Sequence, residues 1–263
     1  MSINEKENQL FKEWRSFLQV SEDEFVADGL LFHDGLHWDG YSYVRTDSGN
    51  NTENWLNAKR RLLIVTRDQP AEEGDIWDVR GDYPLTKNGE FKRNDMYKCL
   101  IQWGYAAINF DKGDEICLDD ESKIEFWRDA PIARMNCGKV AGATVKNGGC
   151  SPKKLQEYLI KGKDFILKQI SLYNANIIMC CSGSDSEKEE DLNPIVVFLR
   201  SYHLKDLKKL NNYVWASQKH KIIVIDCYHF ANWELHSDAS KLAEANRIRL
   251  AMIDACQKGY SLE

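Results

Sequence analysis

Arg61-Leu62-Leu63-Ile64-Val65-Thr66-Arg67-Asp68-Gln69-Pro70-Ala71-Glu72-Glu73-Gly74-Asp75 decides the fold of this 263-residue chain. A short run of Leu, Ile and Val that stops abruptly at polar residues and a proline reads as a buried strand delivering a charged loop to a sheet edge. Four later runs end the same way. Ala106–Phe110 reads as a second strand, Ala130–Asn136 closes in Asn136-Cys137-Gly138-Lys139, and Ile177–Cys181 ends at Ser182-Gly183-Ser184. Lys221–Asp226 ends in Cys227-Tyr228-His229-Phe230-Ala231-Asn232-Trp233. Ligands of open α/β sheets bind outside the carboxyl ends of the strands, so the function is to be sought across these ends.

Helical periods lie between the runs. Leu10, Phe11, Trp14, Phe17 and Leu18 make one stripe over Asn8–Val20, the face of an amphipathic helix. Met96, Leu100 and Trp103 mark a short buried helix that Gly104 is placed to end. Ser151-Pro152 opens the clearest helix, with Ser as cap and Pro at the first helical position; its stripe is Leu155, Tyr158, Leu159, Ile166 and Ile170, and Asn174 breaks it. A helix around Pro194–Tyr202 follows, and Ser237–Cys256 closes the chain with Leu242, Ala245, Ile248, Met252 and Ala255 inward. Residues 32–54, rich in Gly, Asp, Asn and aromatics, read as a long loop or irregular hairpin; His33 and His37 stand there beside Asp34 and Asp39 without the spacing of a metal site. Strands alternating with helices, without hairpin signals, predict a three-layer αβα fold around a mainly parallel sheet. Residues 1–59 form an N-terminal helix and irregular extension packed on a core domain of residues 60–263.

Hydrophobic content of 43% and charged content of 29% are those of a soluble globular protein, and no apolar run approaches the roughly 18 residues of a membrane span. The N-terminus carries no secretory apolar region, so a cytoplasmic location is expected. Eight irregularly spaced cysteines then read as reduced thiols. The net charge of −6 gives no global attraction to nucleic acid. Lysines nevertheless gather in the second half, around Lys153–Lys168 and Lys205–Lys221, as solvated helix faces or as local phosphate-binding patches. No cofactor, metal or obligate protein partner is indicated.

Together the strand ends offer Asp68 and Gln69, Asn136 and Lys139, Ser182, and Tyr228 and His229. A carboxylate, an amide and a histidine converging on one rim can position water, read a base edge and stabilise a developing anion. Singly, each such residue is more often a cap, a turn residue or a structural histidine.

In order and spacing the chain resembles the uracil-DNA glycosylase superfamily over roughly residues 60 to 256. Arg67-Asp68-Gln69-Pro70-Ala71-Glu72-Glu73 is similar to a drifted first motif of that superfamily, which is of the type Gly-Gln-Asp-Pro or Gly-Glu-Ala-Pro-Gly. Asn136–Lys139 is similar to its Asn-x-x-Lys strand end, and Ile177–Gly183 to its later strand; His229-Phe230-Ala231 stands where a His-Pro-Ser motif is expected. Arg67 replaces the usual glycine, and Phe230 replaces the proline after the histidine. The iron–sulfur members' N-terminal Cys pair is absent, so Cys137 and Cys150 are not expected to hold a cluster.

The resemblance implies a DNA glycosylase that flips a nucleotide from the duplex. It assigns Asp68 to position water and offset positive charge on the sugar, with Gln69 assisting. Asn136 would hydrogen-bond the base edge and His229 would donate to the departing base, with Lys139, Tyr228 and Phe230 completing the substrate site. Phe230, Trp233 or Leu235 stands where a wedge enters the duplex, although Trp233 reads equally well as a core aromatic. Ser182, Lys205 and Lys208 are further DNA-binding candidates, on single- or double-stranded DNA. The altered motifs shift the expected target from uracil to an enlarged or modified pyrimidine, as in repair or antiphage defence. A catalytically silent nucleic-acid or nucleotide binding protein of the same fold is the competing expectation. An unrelated nucleotide hydrolase is disfavoured because the chain has no P-loop, nucleophile elbow or Gly-rich dinucleotide turn.

Overall fold

Alternate residues of one strand, Leu62 and Ile64 against Leu63 and Val65, enter two separate hydrophobic clusters, and all four are essentially inaccessible to solvent. The computed structural model describes residues 1–31, 36–38, 43–45, 51–68, 78–81, 95–113, 116, 122, 125–127, 130–140, 150–183, 193–228, 230, 237–260 and 262. In chain order the elements are α1 (Ile3–Leu18), β1 (Leu36–Trp38), β2 (Tyr43–Arg45), α2 (Asn51–Asn57), β3 (Leu62–Thr66), α3 (Asp95–Ile108), β4 (Ile132–Asn136), α4 (Pro152–Lys161), α5 (Lys163–Tyr173), β5 (Ile177–Gly183), α6 (Pro194–Tyr202), β6 (Lys208–Lys209), β7 (Val214–Ser217), β8 (Ile222–Tyr228) and α7 (Asp238–Gln257).

Six of these strands form one sheet in the order β4-β3-β5-β8-β7-β6. Its first four strands are parallel, and β7 and β6 extend it antiparallel. Ile177, Met179, Ile223 and Ile225 join Leu62 and Ile64 beneath α3 and α7. Ile178 and Val224 join Leu63 and Val65 beneath α1, α4, α5 and α6. A sheet covered on both faces requires near-continuous apolar strands, and β3 and β5 supply them. The result is an α/β fold with helices on both faces of a mostly parallel sheet. No helix among the described residues is long and apolar enough to cross a membrane.

The sheet reverses direction of growth at β3. The chain runs from β3 outward to β4, then returns past β3 to β5 and continues to β8, so the switch point lies between the carboxyl ends of β3 and β5.

The N-terminal region closes one edge of this sheet. Residues 25–31 run antiparallel beside β4 and the residues following it, with Leu30 opposite Ala133 and Phe25 opposite Val140. Leu31 N donates to Ile132 O at 3.1 Å, Arg134 N to Gly29 O at 2.8 Å and Val26 N to Lys139 O at 2.8 Å. An otherwise open row of strand hydrogen-bonding groups is thereby satisfied. α1 seals the arrangement from outside, its Trp14 stacked on Phe165 of α5 at 5.4 Å between centroids. Between these layers Asp28 is fully buried and accepts from Lys139 Nζ, from Gln169 Nε2 at 2.8 Å and from the Asn136 backbone N at 2.7 Å. Glu7, also fully buried, accepts from Leu30 N at 2.8 Å and pairs with Arg80 at 3.1 Å. Burial pushes the Glu7 carboxyl above its usual value and pulls the Lys139 ammonium below its own. Lys139 Nζ also lies 5.0 Å from the Trp14 ring centroid, a cation–π contact inside the protein. Gly29, at φ +150, is required here because a Cβ would stand 2.3 Å from Glu7 Oε1.

Several expectations are corrected. Ala106 and Ala107 are not in a strand: α3 continues through them to Ile108, since Ala is a strong helix former and Gly104 does not terminate the helix. Gly104 instead lets α3 approach the sheet, where a Cβ would meet Ile132 Cδ1 at 3.2 Å. The helix after Ser151 is two helices, α4 and α5, jointed at Gly162, where a Cβ would stand 3.1 Å from the Trp14 ring. The first helix begins at Ile3 under a Ser2 capping box, and Phe17 is half-exposed instead of facing the core. Antiparallel pairing, unforeseen in the second half, joins β6, β7 and β8, while β1 and β2 pair antiparallel within the stretch read as a loop or irregular hairpin.

Lys139→Ala or Asp28→Ala should each lower stability by about 3–5 kcal/mol, because each leaves a buried charge without its partner. The double variant Asp28→Ala/Lys139→Ala should lose distinctly less than the sum of the two single losses in urea unfolding; strict additivity would remove the ion pair from its proposed structural role.

Candidate functional site

The ends of β3 and β4 stay joined beyond the sheet proper. Thr66 lies opposite Asn136, Cys137 N donates to Thr66 O at 3.0 Å, and Gly138 N donates to Arg67 O at 2.8 Å. Asp68 follows directly, two residues past the end of β3 and beyond a bend at Arg67.

Asn136 is held by two contacts of opposite kind. Its backbone N donates to Asp28, and its side-chain oxygen accepts from the Thr66 hydroxyl. That leaves the Asn136 Nδ2 donor with no partner among the described residues. Arg67 fixes the neighbouring backbone, donating to Cys150 O at 3.2 Å and to Ser182 O at 3.1 Å. One guanidinium thus ties the end of β3 to the end of β5 and to the start of α4, across the switch point.

Asp68 is half-buried, and desolvation raises its carboxyl above the usual value. The Cys150 thiol, the Arg67 charge, the Tyr158 hydroxyl and the Lys154 charge oppose that rise. The thiol and phenol contacts are loose: among the described residues no side chain closes to conventional hydrogen-bond distance on the carboxylate, so it has free acceptor capacity. The same neighbourhood, chiefly through burial and secondly through the Asp68 charge, pushes both the Cys150 thiol and the Tyr158 phenol up to about 12. Both therefore keep their protons at neutral pH; the Cys150 thiol donates to Ser151 O at 3.7 Å, and the Tyr158 hydroxyl faces Asp68 without closing on it. A cleft of ≈ 510 Å³, whose lining includes Trp14, Leu18, Cys137, Lys154, Tyr158 and Lys161 but neither Asp68 nor Asn136, lies next to this corner through Tyr158.

A second polar cluster sits at the ends of β5 and β8. Asn193 caps α6 by accepting from Ile195 N at 3.1 Å, and its amide donates to Cys180 O at 2.8 Å and to Asp226 at 2.9 Å. The Ser182 hydroxyl donates to the same Asn193 oxygen. Burial raises the Asp226 carboxyl, and the bond from Asn193 opposes it.

The residues singled out in the sequence divide sharply. Asn136 pairs with Thr66 at the β3–β4 end, with Asp68 two residues past Thr66, and Tyr228 ends β8 opposite Gly183, partly buried. Gln69, His229 and Trp233 lie outside the described residues. Lys139 is not a substrate or phosphate contact, because its ammonium is enclosed against Asp28. Phe230 is not on the substrate side; it is a core aromatic, buried 5.2 Å from the Trp103 ring. Ser182 is buried and engaged with Asn193, which removes its hydroxyl from contact with DNA. Lys205 and Lys208 are exposed but belong to the opposite corner: through the strand register Lys208 is level with Leu62, the first residue of β3. It stands about 20 Å below Asp68 along the strands and about 19 Å across the sheet. Among the described residues no group of three or more His, Cys, Asp or Glu side chains stands ready to hold a metal ion.

Four residues of this region escaped the sequence reading: Asp28, Cys150, Tyr158 and Asn193. The Asn193-Pro194 pair, a cap followed by a first-turn proline, was a readable signal. Tyr158 was legible only as an apolar stripe residue. The chain matches no protein-family model and no curated protein sequence.

Gly138 is the point where the two strand ends and α4 meet, since a Cβ there would lie 2.6–2.9 Å from three carbons of the Tyr158 ring. Gly138→Ala should cost about 1–3 kcal/mol by displacing that ring. Adding Tyr158→Ala should relieve most of the clash, so in thermal unfolding the double variant should fall no lower than Tyr158→Ala alone.

Proposed function

We propose that this chain is a DNA glycosylase that hydrolyses the N-glycosidic bond of a flipped-out nucleotide, with a modified pyrimidine as its target. The observation that carries this assignment is that β3 and β4, paired to their ends through Thr66 and Asn136, present the Asp68 carboxylate and an Asn136 amide nitrogen without a partner among the described residues at adjoining strand ends beside the switch point. A half-buried carboxylate with open acceptor capacity suits a water nucleophile and a sugar that gains positive charge. An amide whose oxygen is already engaged by Thr66 offers its nitrogen, the polarity needed to meet a base carbonyl.

In the reaction, Asp68 orients the attacking water and, as the anion, offsets the charge on the sugar as the bond to the base lengthens. Asn136 Nδ2 donates to the base oxygen, holding the base and stabilising the negative charge that it carries away. The water oxygen bonds to C1′, its proton is lost to the carboxylate or to solvent, and the departing base takes up a proton. His229 is assigned as the donor to the departing base on its place in the chain order. Burial raises Asp68 above an ordinary aspartate, so the acid limb of the rate profile should lie above the usual carboxylate range; activity is lost as pH falls through it because the ionised form is the working one.

A silent nucleic-acid binding protein is the second reading, favoured by the enclosure of Lys139, Ser182 and Phe230 within the protein. The two separate in one experiment. DNA panels containing uracil, thymine mismatches and modified or glucosylated cytosines, phage DNA included, are incubated with the protein and scored for alkali-labile abasic sites. A glycosylase yields product from at least one member, reduced about 10²–10⁴-fold by Asp68→Asn and about 10²–10³-fold by Asn136→Ala. Binding without product from any member, unchanged by Asp68→Asn, would establish the silent protein instead.

A further inference from the structure

We propose that Tyr158 is a positioning residue for Asp68: its hydroxyl, supported by the Gly138 backbone and the Lys154 side chain, closes on the carboxylate and holds it aimed at the reacting centre. The inference rests on the assignment of Asp68 as the working carboxylate and names the group that keeps it in place.

Tyr158 has little freedom to do anything else. Its ring lies against the Cα of Gly138, in space that any side chain at that position would fill. Gly138 is itself fastened to Arg67 O, the residue before Asp68, so ring and carboxylate are referenced to one backbone bond. On its other side Lys154 Nζ stands 5.1 Å from the ring centroid and is held by Glu157 at 3.3 Å. The helix that carries Tyr158 starts from a fixed point, with Ser151 capping Lys154 N and Pro152 in the first turn. Cys150, immediately before that cap, faces the same carboxylate and opposes its rise more than Tyr158 does, while its thiol donates to Ser151 O at 3.7 Å. Among the described residues, the charged and titratable groups facing Asp68 include Arg67, Lys154, Cys150, Tyr158 and Cys137.

A phenol kept protonated next to a carboxylate favours the ionised carboxylate and selects one of its orientations. Tyr158 also forms part of the wall of the ≈ 510 Å³ cleft, so whatever occupies that cleft bears on the same ring. The loose contact in the unliganded protein is what a clamp that tightens around substrate would show.

The test reads Asp68 directly, in the full chain. Carboxyl carbons are labelled with ¹³C, the Asp68 resonance is assigned by its loss in Asp68→Asn, and its titration is followed by NMR. Tyr158→Phe keeps the ring on Gly138 and removes only the hydroxyl; it should move the Asp68 midpoint to higher pH by about half a pH unit or more. Cys150→Ala should move it in the same direction by at least as much. An unchanged midpoint in a folded Tyr158→Phe protein overturns the proposal. On a DNA substrate that the wild type cleaves, Tyr158→Phe should lower kcat about tenfold with little change in KM and carry the acid limb upward with the NMR midpoint. The two ideas fail separately: a shifted midpoint in a protein without glycosylase activity sinks the assignment of function, whereas normal cleavage with an unmoved midpoint sinks the role of Tyr158.

Discussion

Everything at the candidate site hangs on a carboxylate that never meets solvent. Asp28 receives the Lys139 ammonium, the Gln169 amide and the backbone N–H of Asn136, joining the edge segment, the end of β4 and α5 at one point. An isolated charge in such a place would be prohibitive, and the arrangement persists because each oxygen is satisfied and a cation is enclosed with it. The consequence for the site is geometric. Asn136 cannot rotate its backbone away from Asp28, and its side chain is turned by Thr66, so the direction in which its amide nitrogen points is inherited from contacts on the other side of the strand.

A similar logic recurs across the switch point. Arg67 spans from the end of β3 to backbone carbonyls of Cys150 and Ser182, and Asn193 spans from Ser182 to Asp226. The strand ends are thus cross-braced by side chains that read one another's backbones, while among the described residues the Asp68 carboxylate and the Asn136 amide nitrogen keep bonding capacity to spare. Rigid surroundings around a few under-committed polar groups form the general condition for a preorganised site.

The parts of this fold legible in the sequence are those governed by local period. The apolar runs of β3, β5 and β8, the Ser151-Pro152 and Ser237 helix starts and the break at Asn174 all follow from short-range chemistry, and so does the alternation that implies a covered parallel sheet. What escaped is governed by long-range packing. Gly104 resembles a helix terminator and is instead a contact glycine; Ala106 and Ala107 are apolar in either a strand or a helix, and only the neighbouring sheet decides between them. At the site, Asp68 and Asn136 were identifiable because each sits just past an apolar run. Lys139 and Phe230 occupy similar places in the sequence and yet turn inward, since their partners Asp28 and Trp103 are more than a hundred residues away. Tyr158 was hidden by its own helix, where a phenol at an apolar-stripe position looks like packing until the glycine beneath it is known.

The edge segment carries a consequence for how the protein is made. Residues 25–31 emerge from the ribosome before any strand of the large sheet, yet Asp28 finds Lys139 only after 111 further residues and Gln169 after 141. Until then Asp28 lacks both partners and the first helix lacks the α5 surface on which Trp14 stacks. Closure of such distant contacts is slow in entropic terms. The nascent chain therefore carries a buried-type aspartate in water while those residues are being made, and nascent-chain helpers have a long opportunity at this one margin of the sheet.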